Sequence, residues 1–461
     1  MQASLAQLVA SLTGARMTRN VAFGGVSTDS RSLAPGELFV ALRGESFDGH
    51  DFLPQLAARG AGAVVAEQLP AGWTLPAIVV PNTLTALGQI GNFWRMKFAI
   101  PVIGVTGSNG KTTVKEMIAA ILAAAYGEDG RLATRGNLNN EIGVPLTVMR
   151  LLPGHKAAVI ELGMNHPGEI ARLTAIAAPT VGLVNNAQRE HQEFMHTVEA
   201  VALENGAVLA GLPKNGVAVY PGDDIYTPLW SKLADRRRTI TFGLDGACNV
   251  SCSHRPGAFG SELAVTVRLD GKDDRQFALK LAAAGLHNVR NALASIACAV
   301  AAGIDQNAIV RGLEAFAPVS GRLQHNRAAN GATIIDDSYN ANPDSVRAAI
   351  DVLAQSPSPR ILVLGDMGEV GTQGQQFHQE IAAYAASRGI DSVLVTGELA
   401  RHMTAAGATH FEQFDELLAA LDTALGSKSD ATVLVKGSRF MKMERVVQHL
   451  LGSQNTGKEA H

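Results

Sequence analysis

The segment Val102-Ile103-Gly104-Val105-Thr106-Gly107-Ser108-Asn109-Gly110-Lys111-Thr112-Thr113 joins an apolar run to a glycine turn and then to Lys-Thr-Thr. A glycine turn between a strand and a helix lets backbone N–H groups converge on one point, where the helix terminus adds about half a positive charge. That is a phosphate cradle. Lys111 can bridge the β- and γ-phosphates of a nucleoside triphosphate, and the Thr112 hydroxyl can ligate Mg2+. The strict phosphate-loop pattern has glycine at position 105, where this chain has valine, but Gly110-Lys111-Thr112 is intact. A turn that only packs helix on strand would not need Lys-Thr-Thr behind it. Gly107, Ser108, Asn109, Gly110, Lys111, Thr112 and Thr113 are therefore the expected set around a nucleotide's phosphates.

Magnesium needs a carboxylate near the phosphates. Ala157–Glu161 reads as a strand that delivers Glu161 at its carboxyl end, where open α/β sheets place ligands. Another strand, Val181–Asn185, leads into Asn186-Ala187-Gln188-Arg189-Glu190-His191, which puts His191 just past a strand terminus. On its own a single histidine is more often structural than a ligand.

These residues must be held by regular elements, and the sequence supplies them in alternation. Short apolar or β-branched runs mark strands at Glu37–Leu42, Ala63–Ala66, Ala77–Val80, Thr333–Asp336, Arg360–Leu364, Ser392–Val395 and Thr432–Val435, besides those already named. Apolar spacing near 3.6 marks helices at Thr113–Ala125, Val198–Leu209, Asn288–Ala302 and Ser345–Leu353. Alternation of this kind predicts an α/β fold with largely parallel sheets. The stretch Ile240–Leu281 differs: VSCS, LAVTVRL and FALKL read as antiparallel strands, a small β insertion closing the middle domain. With 461 residues, about three domains are expected.

The net charge of −3, from 39 Lys plus Arg against 42 Asp plus Glu, gives no basic excess for gripping nucleic acid over a broad face. An anionic ligand must be held by a few placed groups. The three cysteines, Cys248, Cys252 and Cys298, suit neither a disulfide framework nor a zinc site, and are expected to be reduced. The longest apolar run, Ile118 to Tyr126, is far short of the ~20 residues of a membrane span. The amino terminus lacks the basic segment of a secretory signal. A frayed carboxyl end (GSQNTGKEAH) and a cytoplasmic location are the corresponding expectations.

GVTGSNGKTTVKEM resembles the ATP-binding signature of the Mur ligases. Further blocks are similar to the same family in the same order: STDSRSLAPGELFVALRGESFDGHDF, RGNLNNEIGVPLTVMRL, ELGMNHPGEI, LHNVRNALA, SGRLQ, DDSYNANPDS, VLGDMGEVG and LVKGSR, spanning residues 27 to 439. DDSYNANPDS and GDMGEVG resemble the branch that adds a dipeptide, rather than another Mur ligase or a folylpolyglutamate synthetase. A non-catalytic nucleotide switch is the alternative from another class, and the aromatic content of 5% offers no obvious partner patch for one.

The resemblance implies three α/β domains: 1–88 for a UDP-sugar, 89–317 as the ATP-binding centre, and 318–461 as a Rossmann-like domain for the incoming amine. It implies a monomer that uses ATP and Mg2+ to join D-alanyl-D-alanine to UDP-N-acetylmuramoyl-tripeptide in cytoplasmic peptidoglycan precursor synthesis, with neither nucleic acid nor membrane insertion. By motif position, Lys111, Glu161 and His191 would be catalytic. Thr112 and Glu161 would hold a first Mg2+, with His191 near a second. Asn288 would meet adenine; Arg322, Asp337 and Asn340 would reach the nucleotide from the last domain. Ser30 and Arg31 are candidates for the UDP-sugar, Asn139 and Asn140 for the γ-phosphate or the acceptor carboxylate. Gly365, Asp366, Met367, Lys436, Ser438 and Arg439 are candidates for the dipeptide.

Two places depart from the family pattern. Asn205, in Ala202-Leu203-Glu204-Asn205-Gly206, stands where many Mur ligases carry a carbamoylated lysine that helps hold the second metal. Asparagine brings no negative charge, so a weaker second site, or one that borrows Glu204 or another acid, is expected. His191-Gln192-Glu193-Phe194 also stands where HLEGF is usual.

Overall fold

The computed structural model describes residues 1–452 apart from 45, 258, 272 and 427. The expected frayed end lies, beyond Gly452, outside the described residues. Three large sheets of five, nine and six strands follow one another along the chain. This is the α/β architecture the alternation predicts.

The first sheet runs in the order Arg16–Met17, Ala77–Val79, Ala63–Ala66, Leu38–Val40, Val26–Ser27 and encloses Leu38, Val40, Val65 and Ile78. Helix Thr83–Arg95, capped by the Asn82 side chain on Thr85 N–H, leaves it for the next unit. Its first half packs in the first core through Leu87 and Ile90, whereas Arg95 donates to the carbonyls of Ala177 and Ala178 in the middle unit. The division drawn at residue 88 thus falls inside a helix shared by two cores.

In the middle sheet Val102–Thr106 lies between Val181–Val184 and Ala157–Glu161, all parallel. Register sets Glu161 against Val105 and Val184 against Thr106, so Glu161 and the chain after Val184 flank the phosphate loop from either side. One face of this sheet is covered by helices Lys111–Tyr126, Leu286–Ala301 and Gln306–Glu314. Thr83–Arg95, Gly143–Val148, Glu169–Ala177 and Val198–Ala210 cover the other. The antiparallel strands Val250–Gly257, Gly260–Val267 and Arg275–Leu281 extend the same nine-stranded sheet through Phe242↔Val250, rather than forming a separate insertion. Val217–Pro221 is a strand that the sequence reading passes over.

The last sheet places Thr432–Lys436 between Thr333–Asp337 and Arg360–Leu364. That crossover aligns Asp337 with Lys436 at the carboxyl edge, facing the middle unit. No helix of the described residues is long and apolar enough to cross a membrane.

Candidate active site

A cavity of about 820 Å3 opens between the carboxyl edges of the middle and last sheets. Its walls include Ser108, Asn109, Gly110, Lys111, Thr112 and Thr113 of the loop, together with Asn139, Asn140, Glu161, His191, Asn288, Arg322, Asp337, Asn340, Lys436 and Arg439. Gly107 forms the floor behind them. It holds φ +137°, and a Cβ there would stand 2.9 Å from that of Asn185. Gly110, at φ +80°, begins the helix in the left-handed region, and a Cβ on it would lie 2.5 Å from Asn291 Oδ1. Only glycine fits both, and the helix that follows presents N–H groups with no partner inside it.

Beside the loop, Thr112 Oγ1 donates to Glu161 Oε1 (3.2 Å), and Asn139 Nδ2 donates to the same oxygen (2.9 Å). Glu161 is buried and its Oε2 has no hydrogen-bond partner among the described residues. A buried, orphaned carboxylate oxygen next to a hydroxyl is a hard donor pair suited to Mg2+. Among the described residues, no three His, Cys, Asp or Glu side chains converge as a ready-made cation cluster, so phosphate oxygens and waters would complete the coordination.

Behind the loop runs a line of amides in which the sequence reading names Asn109 and Asn288 but misses Asn185, Asn186, Gln188 and Asn291. Asn291 Nδ2 donates to Asn288 Oδ1, Asn185 Nδ2 to Asn291 Oδ1, and Asn185 Nδ2 also to the Asn109 carbonyl. Asn186 and Gln188 grip Asn109 from above, at 2.9 and 2.6 Å. The i, i+3 spacing of Asn288 and Asn291, which sets both on one helix face, is the signal that could have found the pair.

Lys111 Nζ donates to the carbonyls of Gly107 (2.6 Å) and Ser108 (3.0 Å) and to Glu190 Oε1 (2.7 Å). His191, a non-glycine residue at φ +48°, brings Nε2 to 3.3 Å from Glu190 Oε1. Its Nδ1 lies 2.6 Å from Glu369 Oε2 of the last unit, close but not aligned for a hydrogen bond. Burial by itself would depress the imidazolium, but Glu190 and Glu369 outweigh it and raise His191 to about 9. The sequence reading singles out neither acid as a site residue.

From the last unit, Arg322 stacks on Tyr339 with its guanidinium carbon 4.3 Å from the ring centre. Lys436 Nζ donates to Asp337 and to the Asn340 carbonyl. Asn342 Nδ2 reaches across to Asn109 Oδ1 (2.9 Å), so the cap of helix Pro343–Ala354 touches the phosphate loop itself.

Other predicted residues stand outside the cavity walls. The Asp366 carboxylate accepts the N–H groups of Glu398 and Ala400, Met367 is buried, and Ser438 Oγ bridges Gly368 N–H and the Ala341 carbonyl. With Gly365, they shape the loops that carry Lys436 and Arg439. Ser30 and Arg31 lie on the first unit, the Arg31 guanidinium paired with Asp29. Asn140, by contrast, lines the cavity, but its side-chain oxygen accepts Gly143 N–H (2.9 Å) at the start of a helix. Glu204 accepts the N–H groups of Gly168 and Ile170, one on each oxygen at 2.8 Å, and stands outside the cavity walls. Asn205 accepts the Thr106 hydroxyl at 2.6 Å.

Three family models match in order: the Mur ligase family, catalytic domain over residues 22–95; the Mur ligase middle domain over 105–299; and the Mur ligase, glutamate ligase domain over 321–439. The UDP-N-acetylmuramoyl-tripeptide--D-alanyl-D-alanine ligase of Escherichia coli (strain K12) is 38% identical over 451 residues, covering 97% of this chain and 98% of that one. A crystal structure of MurF from Acinetobacter baumannii superposes with a TM-score of 0.91 at 32% identity, over 98% of this chain and 99% of that one. A MurF ligase from Thermotoga maritima in complex with ADP gives a TM-score of 0.81 at 27% identity, over 93% and 97%. Phosphate loop, partner acids and three-sheet frame thus coincide with full-length likeness, and the chain belongs to the Mur ligase family, within the branch of UDP-N-acetylmuramoyl-tripeptide--D-alanyl-D-alanine ligases.

Proposed function

We propose that this chain uses ATP and Mg2+ to join D-alanyl-D-alanine to UDP-N-acetylmuramoyl-tripeptide, acting as a cytoplasmic monomer. The observation that carries the reading is the single cavity in which the phosphate loop of the middle unit faces Arg322, Asp337 and Lys436 of the last. A nucleotide there would touch both units, so closure assembles the site and shuts out water.

The chemistry follows from what a carboxylate lacks. Hydroxide is too poor a leaving group for an amine to displace, so the tripeptide's terminal carboxylate first attacks the γ-phosphorus and ADP departs. The dipeptide's amine then attacks the acyl phosphate carbon, loses a proton, and expels inorganic phosphate. Lys111 neutralises the phosphoryl oxygens as charge builds on them. Thr112 and Glu161 would hold a first Mg2+ and His191 a second; the ions supply Lewis-acid charge compensation along the phosphates. Asn139, already on Glu161, orients that carboxylate. Asn288 and Asn291 line the adenine side; Arg290, held at both guanidinium ends by Asp223 (2.8 Å each), walls the same region. Ser30 and Arg31 would meet the uridine nucleotide on the first unit. Lys436 and Arg439, backed by Gly365, Asp366, Met367 and Ser438, would receive the dipeptide.

Phosphate release with UDP-N-acetylmuramoyl-tripeptide and a panel of D-alanyl-D-alanine, L-alanine, D-glutamate and L-glutamate tests the reading. Release is expected only with the dipeptide, in step with amide formed. Hydrolysis independent of both cosubstrates would refute it.

A further inference from the structure

Lys111 has no donor to spare. An ammonium carries three N–H bonds, and Gly107, Ser108 and Glu190 take all of them. A phosphate can reach this lysine only by displacing one. The two carbonyls belong to the loop that carries Lys111, so the carboxylate is the exchangeable partner. Glu190 is 8% exposed, and its Oε2 has no hydrogen-bond partner among the described residues although it lines the cavity. Once released from Lys111, such a carboxylate would keep only the neighbouring imidazolium, which Glu369 shares, so the site would carry an excess of negative charge that a further cation could take up. The group beside it is His191, 3.3 Å away. The Glu204-Asn205 pair supplies no acid there: Glu204 stands outside the cavity walls, turned to the N–H groups of Gly168 and Ile170, and Asn205 is neutral.

We propose that Glu190 is an exchange ligand. It occupies Lys111 in the nucleotide-free chain, then passes to the divalent cation beside His191 when the terminal phosphate takes Lys111. Glu190 thereby supplies the negative charge that Asn205 does not. One anion position is filled in turn by carboxylate and phosphate, so the loop is never left with an uncompensated lysine. The inference rests on the reading of Lys111 and His191 given above.

Two opposite changes follow for Glu190→Gln, measured on the full chain with the non-hydrolysable β,γ-methylene analogue of ATP. Without metal, analogue affinity by calorimetry is expected to rise severalfold, because a competitor for Lys111 is gone. With Mn2+, paramagnetic resonance of the free ion should count two ions in the parent chain. In Glu190→Gln the weaker of the two should bind at least tenfold less tightly, and the tighter should be unchanged. Glu190→Asp keeps the charge and should fall between, which serves equally should the glutamine variant fold poorly. An unchanged second ion, unchanged or weaker metal-free binding, or a parent chain with one ion overturns the exchange. Glu161→Gln is the control for the underlying reading and should lose the tighter ion. A parent chain that binds no analogue at all would overturn the phosphate-loop reading itself rather than the role of Glu190.

Discussion

Lys111 and Glu190 form an ion pair with side chains only 14% and 10% exposed, and removing one member of a buried pair strands the other. Lys111→Ala should therefore have two separable effects. Turnover should fall by on the order of 10²–10³ or more, because the charge on the transferring phosphoryl group is uncompensated. The fold should also lose on the order of 3 kcal/mol as Glu190 is left unpaired. Adding Glu190→Gln should restore the melting temperature without restoring turnover. Affinity for UDP-N-acetylmuramoyl-tripeptide should stay within about twofold in both variants, since Ser30 and Arg31 stand on another unit. Calorimetry with that ligand checks this, and a large loss would break the assignment of the first unit. Of this residue-scale picture, Lys111, Thr112 and Glu161 are legible from motif and strand end, whereas the acid on Lys111 has no local signature.

Elements hold the loop through two glycines with different duties. Gly110 supplies a backbone shape, at φ +80° with Asn291 pressed against it. Gly312 supplies clearance: a Cβ there would lie 2.4 Å from Ile121 Cα, where helix Gln306–Glu314 crosses Lys111–Tyr126. Gly312→Ala should cost about 1–3 kcal/mol of stability by overpacking, with nucleotide affinity little changed. Gly110→Ala should reduce nucleotide affinity at least tenfold, with a cost of about 1–3 kcal/mol for the strained backbone. Thermal melts paired with nucleotide titration separate the two. The phosphate-loop helix is plain in the periodicity; it starts at Lys111 rather than Thr113 because Gly110 takes the left-handed turn just before it. Strand Val217–Pro221 escapes notice because an apolar run buried on every side carries no alternation.

For the whole molecule, Arg189 is the fastener between units. Its guanidinium reaches Asp344 (2.6 Å) and Glu380 (2.8 Å) on two helices of the last unit. Arg189→Ala should weaken this contact by about 1 kcal/mol, visible as a larger radius of gyration in X-ray scattering and as a raised KM for ATP. Acid should act on the same contact. The Glu380 carboxyl lies below its ordinary value of 4.5, chiefly through the Arg189 hydrogen bond, with burial opposing and Arg347 assisting. A depressed carboxyl stabilises closure fully above its ordinary value and loses that contribution as pH falls through the depressed one. Scattering should thus show loosening below about pH 4.5, with a smaller pH response in Arg189→Ala. An equal response in both would exclude the contact as its source.

What the sequence determines by itself is whatever a dozen neighbouring residues can encode: the strand, glycine turn and helix around Lys111, the acid at the end of Ala157–Glu161, and the alternation that makes sheets parallel. The tertiary structure decides which distant side chains those elements bring face to face. Glu190 lies 79 residues from Lys111, Asp344 lies 155 from Arg189, and Asn342 lies 233 from Asn109. Backbone periodicity is local because it follows from dihedral angles and hydrogen bonds within a few turns. A charge finds its partner only after the sheets have stacked and water has been displaced between them. For that reason the cradle can be read along the chain, and the acid that guards it cannot.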